Sequence, residues 1–419
     1  MSAQTTDIIR EGRTSSRYPW LVVAMLWFVC FFNYADRQAI FSLFSLLKAE
    51  FGLSDMQLGI VASVFMWVYA IVGPFVGWIS DKVSRTGIII AALAFWSSVT
   101  AMMMWVHSYP VLVLLRGLAG LSEAFYFPAA MSLIASYHGA ETRSRAMSIH
   151  QSSVYAGTVA GGFFSAYVAQ RAGWRSSFEV FGVSGLVLAF ALLLFLRDPP
   201  QSSSVAHEPD GHGRFLTDLK ELGKTKAVLL LIAIFMGANF VAVVFLTWMP
   251  TFLQRKFSMD LGSAALNGTA YLQVTSVIGV LAGGLLADAA CRTRTGGRQL
   301  VQCIGLLGGA PFLILTGYSL RMPVLLVSLL GFGLFKGLYD ANIWASLYDF
   351  VGPERRGFAT GLMNSLGWLG GGFAPIAVAN LASHYSLSLC LSLTSVIYLT
   401  LGGCMGLLYL RRSGRRNSQ

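Results

Sequence analysis

The chain has 419 residues, 55% of them hydrophobic and 12% charged, with a formal net charge of +11 and a mean hydropathy of +0.63. That much apolar surface exceeds what a soluble core can bury, which excludes a soluble globular protein and points to a polytopic membrane protein. The basic residues sit between apolar runs rather than in one patch, which argues against a nucleic-acid partner; no phosphate-cradling loop, nucleotide fold or nucleophile elbow occurs, so neither an enzyme nor an ATP-driven machine is expected.

Taken in order, the chain opens with a polar, basic tail at residues 1–17. No cleavable leader is expected, because the first apolar run is long enough to stay in the membrane. With about 20 apolar residues needed per crossing, the pattern predicts twelve helices, near 18–44, 54–80, 87–106, 109–137, 145–170, 175–196, 227–253, 262–289, 299–319, 322–350, 356–383 and 386–410. If the tails are cytoplasmic, that side holds 21 of the 30 Lys and Arg residues, and the opposite loops hold six: Lys48, Arg171, Arg175, Arg255, Lys256 and Arg321. The asymmetry predicts both termini in the cytoplasm and an inner (plasma) membrane location.

Between the sixth and seventh spans the composition turns polar. Residues 197–226 read as a cytoplasmic linker whose second part forms an amphipathic surface helix. It separates an N-terminal six-helix half, 18–196, from a C-terminal half, 227–410, which a tail at 411–419 follows. The halves repeat each other: Gly77, Asp81, Lys82 and Arg85 after the second span are echoed by Gly284, Asp288, Arg292 and Arg294 after the eighth, 284 − 77 = 207 residues later. Glycines cluster at matching places, Gly157, Gly161 and Gly162 in the fifth span and Gly370, Gly371 and Gly372 in the eleventh. The expected fold is an all-α membrane protein, twelve transmembrane helices in two pseudo-symmetric six-helix bundles that rock about a central site.

Three basic residues, Arg37, Arg116 and Lys336, fall inside spans. A charge at mid-bilayer costs at least about 2.5 kcal/mol, so each is expected to face a protein-lined or watery cavity. Asp36 adjoins Arg37. Arg116 and Glu123 are seven residues apart, two helical turns, and so share one face about 10 Å apart. Four ionisable groups from the first and fourth spans are thus expected to meet, where anion binding to an arginine would favour protonation of an acid; alternatively they pair only to neutralise each other and gate the cavity. Lys336 and Asp340, spaced i and i+4, are either a local pair or a second anchor. His150 reads as ordinary polar lining rather than a proton relay. The five cysteines show no paired or metal-ligand spacing, so no metal site is expected.

The Gly77 to Arg85 stretch, on a short loop between the second and third spans, resembles the signature of the major facilitator superfamily, with Ser84 where a glycine is usual. The resemblance runs from Tyr18 to Leu410 and implies a cytoplasmic gating motif made of Gly77, Asp81, Lys82, Arg85, Gly284 and Asp288. More finely, Arg17 to Val23 leading into Asn33-Tyr34-Ala35-Asp36-Arg37, then Trp67 and Tyr69, and Arg116 to Pro128, are similar to the anion:cation symporters, the sugar-acid and sialin-like carriers. That resemblance implies secondary active, proton-coupled uptake of a small organic anion by alternating access. It makes Asp36 and Glu123 the proton-coupling carboxylates, and Arg37, Arg116, Tyr69 and Asn364 substrate-binding residues, with Lys336 a further candidate. Val154 stands where sugar-acid carriers tend to place a glutamine, which counts against a hexonate.

The Asn33 to Arg37 and Gly117 to Tyr126 stretches are also similar to the spinster-like transporters of lysolipids and other amphipathic molecules, the alternative reading. The pattern around Asn364 favours the anion symporters. A non-transporting membrane receptor is the alternative of another class. The expected partners are an organic anion, protons and the bilayer, with no nucleic acid, no cofactor and a monomeric state.

Overall fold

The structure, a computed structural model, describes residues 17–80, 84–138, 142–199, 211–352 and 355–414, and these contain helices and no strand. The first half comprises α1 (Tyr18–Ser42), the short α2 (Phe44–Phe51), α3 (Asp55–Ser80), α4 (Arg85–Met102), α5 (Tyr109–Glu123), α6 (Tyr126–Tyr137), α7 (Arg143–Ala172) and α8 (Trp174–Phe195). After α9 (Gly211–Lys224) in the linker, the second half comprises α10 (Lys226–Phe257), α11 (Leu261–Thr293), α12 (Gly297–Tyr318), α13 (Met322–Asp340), α14 (Ile343–Tyr348), α15 (Arg356–Ala382) and α16 (Leu387–Gly414).

Local chemistry sets the helix ends. Proline in the first turn, where its missing N–H leaves no bond unmade, opens α1, α5 and α13. The Ser84 hydroxyl accepts from the Gly87 N–H at 3.0 Å to cap α4, and Asp260 accepts from the Ser263 N–H at 3.0 Å to cap α11. Gly52 takes the left-handed conformation, φ 63°, that ends α2.

Eleven helices or helix pairs among the described residues are long and apolar enough to cross a membrane. α7 is not among them, although its 30 residues are long enough for a full crossing. Its polar positions, among them His150, Ser153, Thr158 and Ser165, are buried inside the protein, so it does not need a lipid-compatible surface all round. With α7 the crossings number twelve, as the sequence pattern predicts.

Two predicted single helices are broken. The fourth crossing is α5 and α6 with a turn at Ala124 and Phe125, and the tenth is α13 and α14 with a turn at Ala341 and Asn342. Pro128 has no N–H to give the Ala124 carbonyl four residues back, and its ring crowds that carbonyl, which breaks the first; no proline lies at the second. Before the first, the Ser122 hydroxyl donates to the carbonyls of Leu118 and Ala119 at 3.1 and 3.0 Å; at the second, the Asn342 amide donates to Gly283 O at 3.0 Å and Leu338 O at 3.5 Å. Such side-chain competition for backbone groups bends helices. The breaks fall at corresponding places in the two halves, and each directly follows an acid, Glu123 or Asp340.

An even number of crossings puts Tyr18 and Gly414 on one face, here the terminal face; the opposite one is the distal face. Across the seam between the halves α3 packs on α15, α7 on α11 and α1 on α10. The predicted glycine clusters serve mainly within the halves. A Cβ at Gly161 would lie 2.3 Å from Ala35 Cα, so α7 can approach α1 this closely only without a side chain there. Gly372 faces the other way, toward Trp67 across the seam.

Cross-seam polar contacts concentrate on the distal half. Asp55 receives Arg255 through two bonds of 2.8 Å and Lys48 at 2.6 Å, and the Gln170 amide donates to Asp260 at 3.1 Å. The Ser263 hydroxyl and N–H, with the Gln170 amide, hold the Asp260 carboxyl down at about 2, so it remains an anion, and this clasp remains intact, at every pH well above that value. On the terminal half, by contrast, the ion pairs of Arg298 and Arg412 with Asp349 lie within the second half and do not cross the seam. The halves therefore close distally and part toward the terminal face. Replacing Asp55 by asparagine should loosen that closure: a cysteine introduced at Gln170 would gain reactivity toward a membrane-impermeant thiol reagent added from the distal side, several-fold over the same cysteine with Asp55 intact. Equal reactivity in the two backgrounds would show that this cluster does not hold the face shut.

In the linker, α9 leans on the second half: the Arg355 guanidinium donates to Asp218 at 2.9 Å and Leu222 is buried. At the terminal face Asp349 accepts from Arg298 and Arg412 at 2.8 and 2.6 Å, and from Gln299 at 3.3 Å.

Candidate functional site

Midway between the faces, where the seam opens, lies a cavity of about 160 Å³ whose walls come from both halves: Tyr34, Arg37 and Gln38 on α1, Tyr155 on α7, Asn239 on α10, Gln273 on α11, Lys336 on α13 and Trp368 on α15. Arg37 is its best-anchored charge. Its Nη2 donates to Glu123 Oε2 at 3.0 Å and to Asn33 Oδ1 at 3.3 Å, and its guanidinium lies 4.7–5.1 Å from the ring centroids of Tyr34, Phe65, Tyr69 and Trp368. Two further donors of Arg37, Nε and Nη1, have no hydrogen-bond partner. A buried guanidinium surrounded by ring faces and bonded through one of its three nitrogens retains capacity for an anion.

The other three charges of the first and fourth crossings lie behind that wall. Arg116 is buried, stands 4.6 Å from the centroid of the same Phe65 ring, and has no hydrogen-bond partner at Nε or Nη2. Asp36 is buried with Thr100 Oγ1 at 3.4 Å from one carboxylate oxygen and nothing on the other. Protonating Asp36 would break no ion pair among the described residues, whereas protonating Glu123 would weaken its hold on Arg37. If all four groups are ionised their charges sum to zero.

The structure thus gathers Asp36, Arg37, Arg116 and Glu123 around Phe65 and α1, with only Arg37 among the cavity's lining residues. Tyr69 is one layer back, its ring 5.6 Å from that of Trp368 and 5.1 Å from Arg37, so it positions the guanidinium and not the cavity surface. Asn364 is half-buried on α15 and is not in the lining; Trp368, one turn further on, takes that place. Lys336 does line the cavity and is ion-paired to Asp340. Val154 and Tyr155 line it from α7, while His150 points away: Tyr126 Oη donates its one hydrogen to Leu26 O at 2.6 Å, so His150 Nε2, 2.7 Å away, must be the donor in that contact. A histidine so engaged is a buried contact between helices and not the polar lining that its sequence position suggests.

The three lining amides carried a weak signal that the sequence reading passed over: Gln38, Asn239 and Gln273 are polar residues isolated in apolar runs. The Gln38 amide donates to Leu246 O at 3.0 Å, across the seam. That carbonyl is free because Pro250, four residues on, has no N–H to give it. The Asn239 amide donates to Gly367 O at 2.7 Å, within the second half.

Of the gating motif, Asp81 and Lys82 lie outside the described residues. Gly77 is in α3. Arg85 donates to Ser136 Oγ at 2.5 Å, and Asp288 is exposed with no ion pair among the described residues, the acid that gathers basic side chains here being Asp349.

The geometry of two similar bundles around a central charged cavity is matched by a comparison of sequences: the Major Facilitator Superfamily pattern matches residues 26–375 and 263–418. The chain belongs to the Major Facilitator Superfamily. It is therefore a multi-pass membrane transporter and not an enzyme. Among its relatives in this superfamily, the "Probable galactarate/D-glucarate transporter GudP" of Escherichia coli is 27% identical over 398 residues, covering 88% of this chain and 87% of that protein. "Protein spinster homolog 1" of Homo sapiens is 29% identical over 362 residues, 81% of this chain and 68% of that one. Among solved structures, a bacterial homologue of the human lysosomal transporter spinster, in an inward-facing and occupied conformation, superposes with a TM-score of 0.81 at 19% identity, over 95% of this chain and 98% of its own. A D-xylose-proton symporter does so with 0.74 at 16% identity, over 93% and 97%. These two show the shared fold.

Proposed function

We propose that this transporter takes up a small organic anion together with protons, by alternating access, with its terminal face in the cytoplasm of an inner (plasma) membrane. The observation that carries the reading is Arg37, set in the cavity wall with one edge bonded to Glu123 and two donors unengaged. An anion that approaches Arg37 competes with Glu123 for it. The four nearby charges balance before the anion arrives, so its entry leaves one uncompensated negative charge in a buried place, and a proton on Glu123 or Asp36 removes it. Arg116, behind Phe65, supports the reversal by offering Glu123 or Asp36 a second cation. Tyr69 and Asn364 shape the site from behind its lining. Gly77, Asp81, Lys82, Arg85, Gly284 and Asp288 act at the cytoplasmic gate.

The named activity of the E. coli relative on two sugar acids supports an anion, and the cavity's lining of two cations and three amides supports a polar one. The spinster reading has comparable sequence similarity in its favour, and a direct competition separates the two. Proteoliposomes with an inward-directed proton gradient should accumulate radiolabelled D-glucarate, with competition by short carboxylates and none by lysophosphatidylcholine. Competition by the lysolipid alone would transfer the chain to the spinster reading, and binding with no accumulation or counterflow would make it a receptor.

A further inference from the structure

Beyond Arg37, the cavity holds one more cation, and it is built to the same plan. Lys336, on the wall that the second half supplies, is ion-paired to Asp340 one turn along α13, with side chains 15% and 30% exposed. Asp340 is the last residue before the break between α13 and α14, as Glu123 is the last before the break between α5 and α6. Each half therefore presents one cavity-lining cation, and each cation is held by a carboxylate placed at the break of that half's fourth crossing. Between the two poles, the cavity is lined by the amides of Gln38, Asn239 and Gln273 and by Tyr155. One amide hydrogen of Gln38 and one of Asn239 are engaged by backbone carbonyls, and their side-chain oxygens can accept from a ligand.

We propose that Lys336 and Asp340 form a second, carboxylate-latched anion site, so that the preferred substrate carries two anionic groups, one taken by Arg37 and the other by Lys336. The inference rests on the organic-anion reading above and narrows its substrate class. A substrate with a single carboxylate satisfies Arg37 and leaves the Lys336–Asp340 pair intact. One with a second carboxylate replaces Asp340 on Lys336, and Asp340, the more exposed partner, turns to the water of the cavity. The acceptor oxygens between the poles suit hydroxyl groups between the two carboxylates.

The test compares ligands that differ in one carboxylate: D-glucarate against D-gluconate, and succinate against butyrate, titrated calorimetrically into the full chain in lipid nanodiscs. The wild-type chain should bind each dianion at least tenfold more tightly than its monoanion. Lys336→Met should abolish that preference by weakening the dianions alone, and Lys336→Arg should keep it. Asp340→Asn, which frees the lysine, should tighten the dianions. A preference that survives Lys336→Met, an equal loss for both members of a pair, or a weakening by Asp340→Asn would overturn the inference and leave the organic-anion reading standing. No binding of any of the four to the wild-type chain would remove both, a result recognisable because the wild-type chain itself is silent. A thermal-unfolding measurement on each variant checks folding, and if Lys336→Met does not fold, the Arg and Asn variants carry the comparison.

Discussion

Glu123→Gln is expected to abolish accumulation driven by a proton gradient while leaving counterflow exchange of substrate measurable. The amide keeps the size of the carboxyl and still offers Arg37 Nη2 an oxygen at the position where Glu123 Oε2 lies 3.0 Å away, so the wall of the cavity is preserved. It takes up no proton, so the entry of an anion is no longer matched by neutralisation of a buried acid. Asp36→Asn should lose the drive as well, for a different reason. Among the described residues its carboxyl is hydrogen-bonded to Thr100 alone, and it is the group of the cluster whose protonation breaks no ion pair. The measurement is uptake into proteoliposomes with and without an imposed pH gradient, beside exchange at equal pH. We expect accumulation to fall at least about tenfold in each variant, with exchange retained. Accumulation at the wild-type level in both would exclude these acids from coupling.

The second large effect is expected at Arg37, where stability and binding separate. Arg37→Ala leaves Glu123 buried and unpaired, and removing one partner of a buried ion pair typically costs about 3–5 kcal/mol. The thermal unfolding midpoint in detergent should drop markedly, and the double variant Arg37→Ala with Glu123→Gln should recover part of the loss because the stranded charge is gone. Arg37→Lys isolates the binding role. It retains one positive charge but not the planar fork that at once reaches Glu123 and lies among four aromatic rings. Substrate affinity should fall by roughly tenfold to a hundredfold, about 1.4–2.8 kcal/mol, with a much smaller change in unfolding midpoint. Unchanged affinity in Arg37→Lys would remove Arg37 from the anion site.

The architecture was legible because a bilayer imposes a simple rule on sequence. Span number, the repeat of Gly77–Arg85 at Gly284 and the separation of the halves by a polar linker all follow from hydropathy and spacing, and the structure has those twelve crossings in two bundles. The gathering of Asp36, Arg37, Arg116 and Glu123 was legible for the same reason, since charges in apolar runs must find one another. What a sequence does not carry is which layer a side chain occupies. Tyr69 and Asn364 lie close to the cavity, but Met66 and Trp368 hold its surface, and one helical turn of difference decides that. The break after Glu123 has a cue in the sequence, Pro128, which cannot bond the Ala124 carbonyl; the break after Asp340 has none, because there the bending comes from the Asn342 amide bonding to backbone carbonyls, which only coordinates reveal.

The bond from Gln38 to the carbonyl of Leu246 bears on how the two bundles come apart. A helix that must surrender one of its own rungs each time a neighbour lets go would fray over repeated cycles. Here the rung at Leu246 was already vacant because of Pro250, so undocking exposes one carbonyl to water and leaves the rest of α10 as it was. In the alternating-access cycle proposed above, proline gives the transporter a fastening that opens and closes with no wear on the helix that bears it.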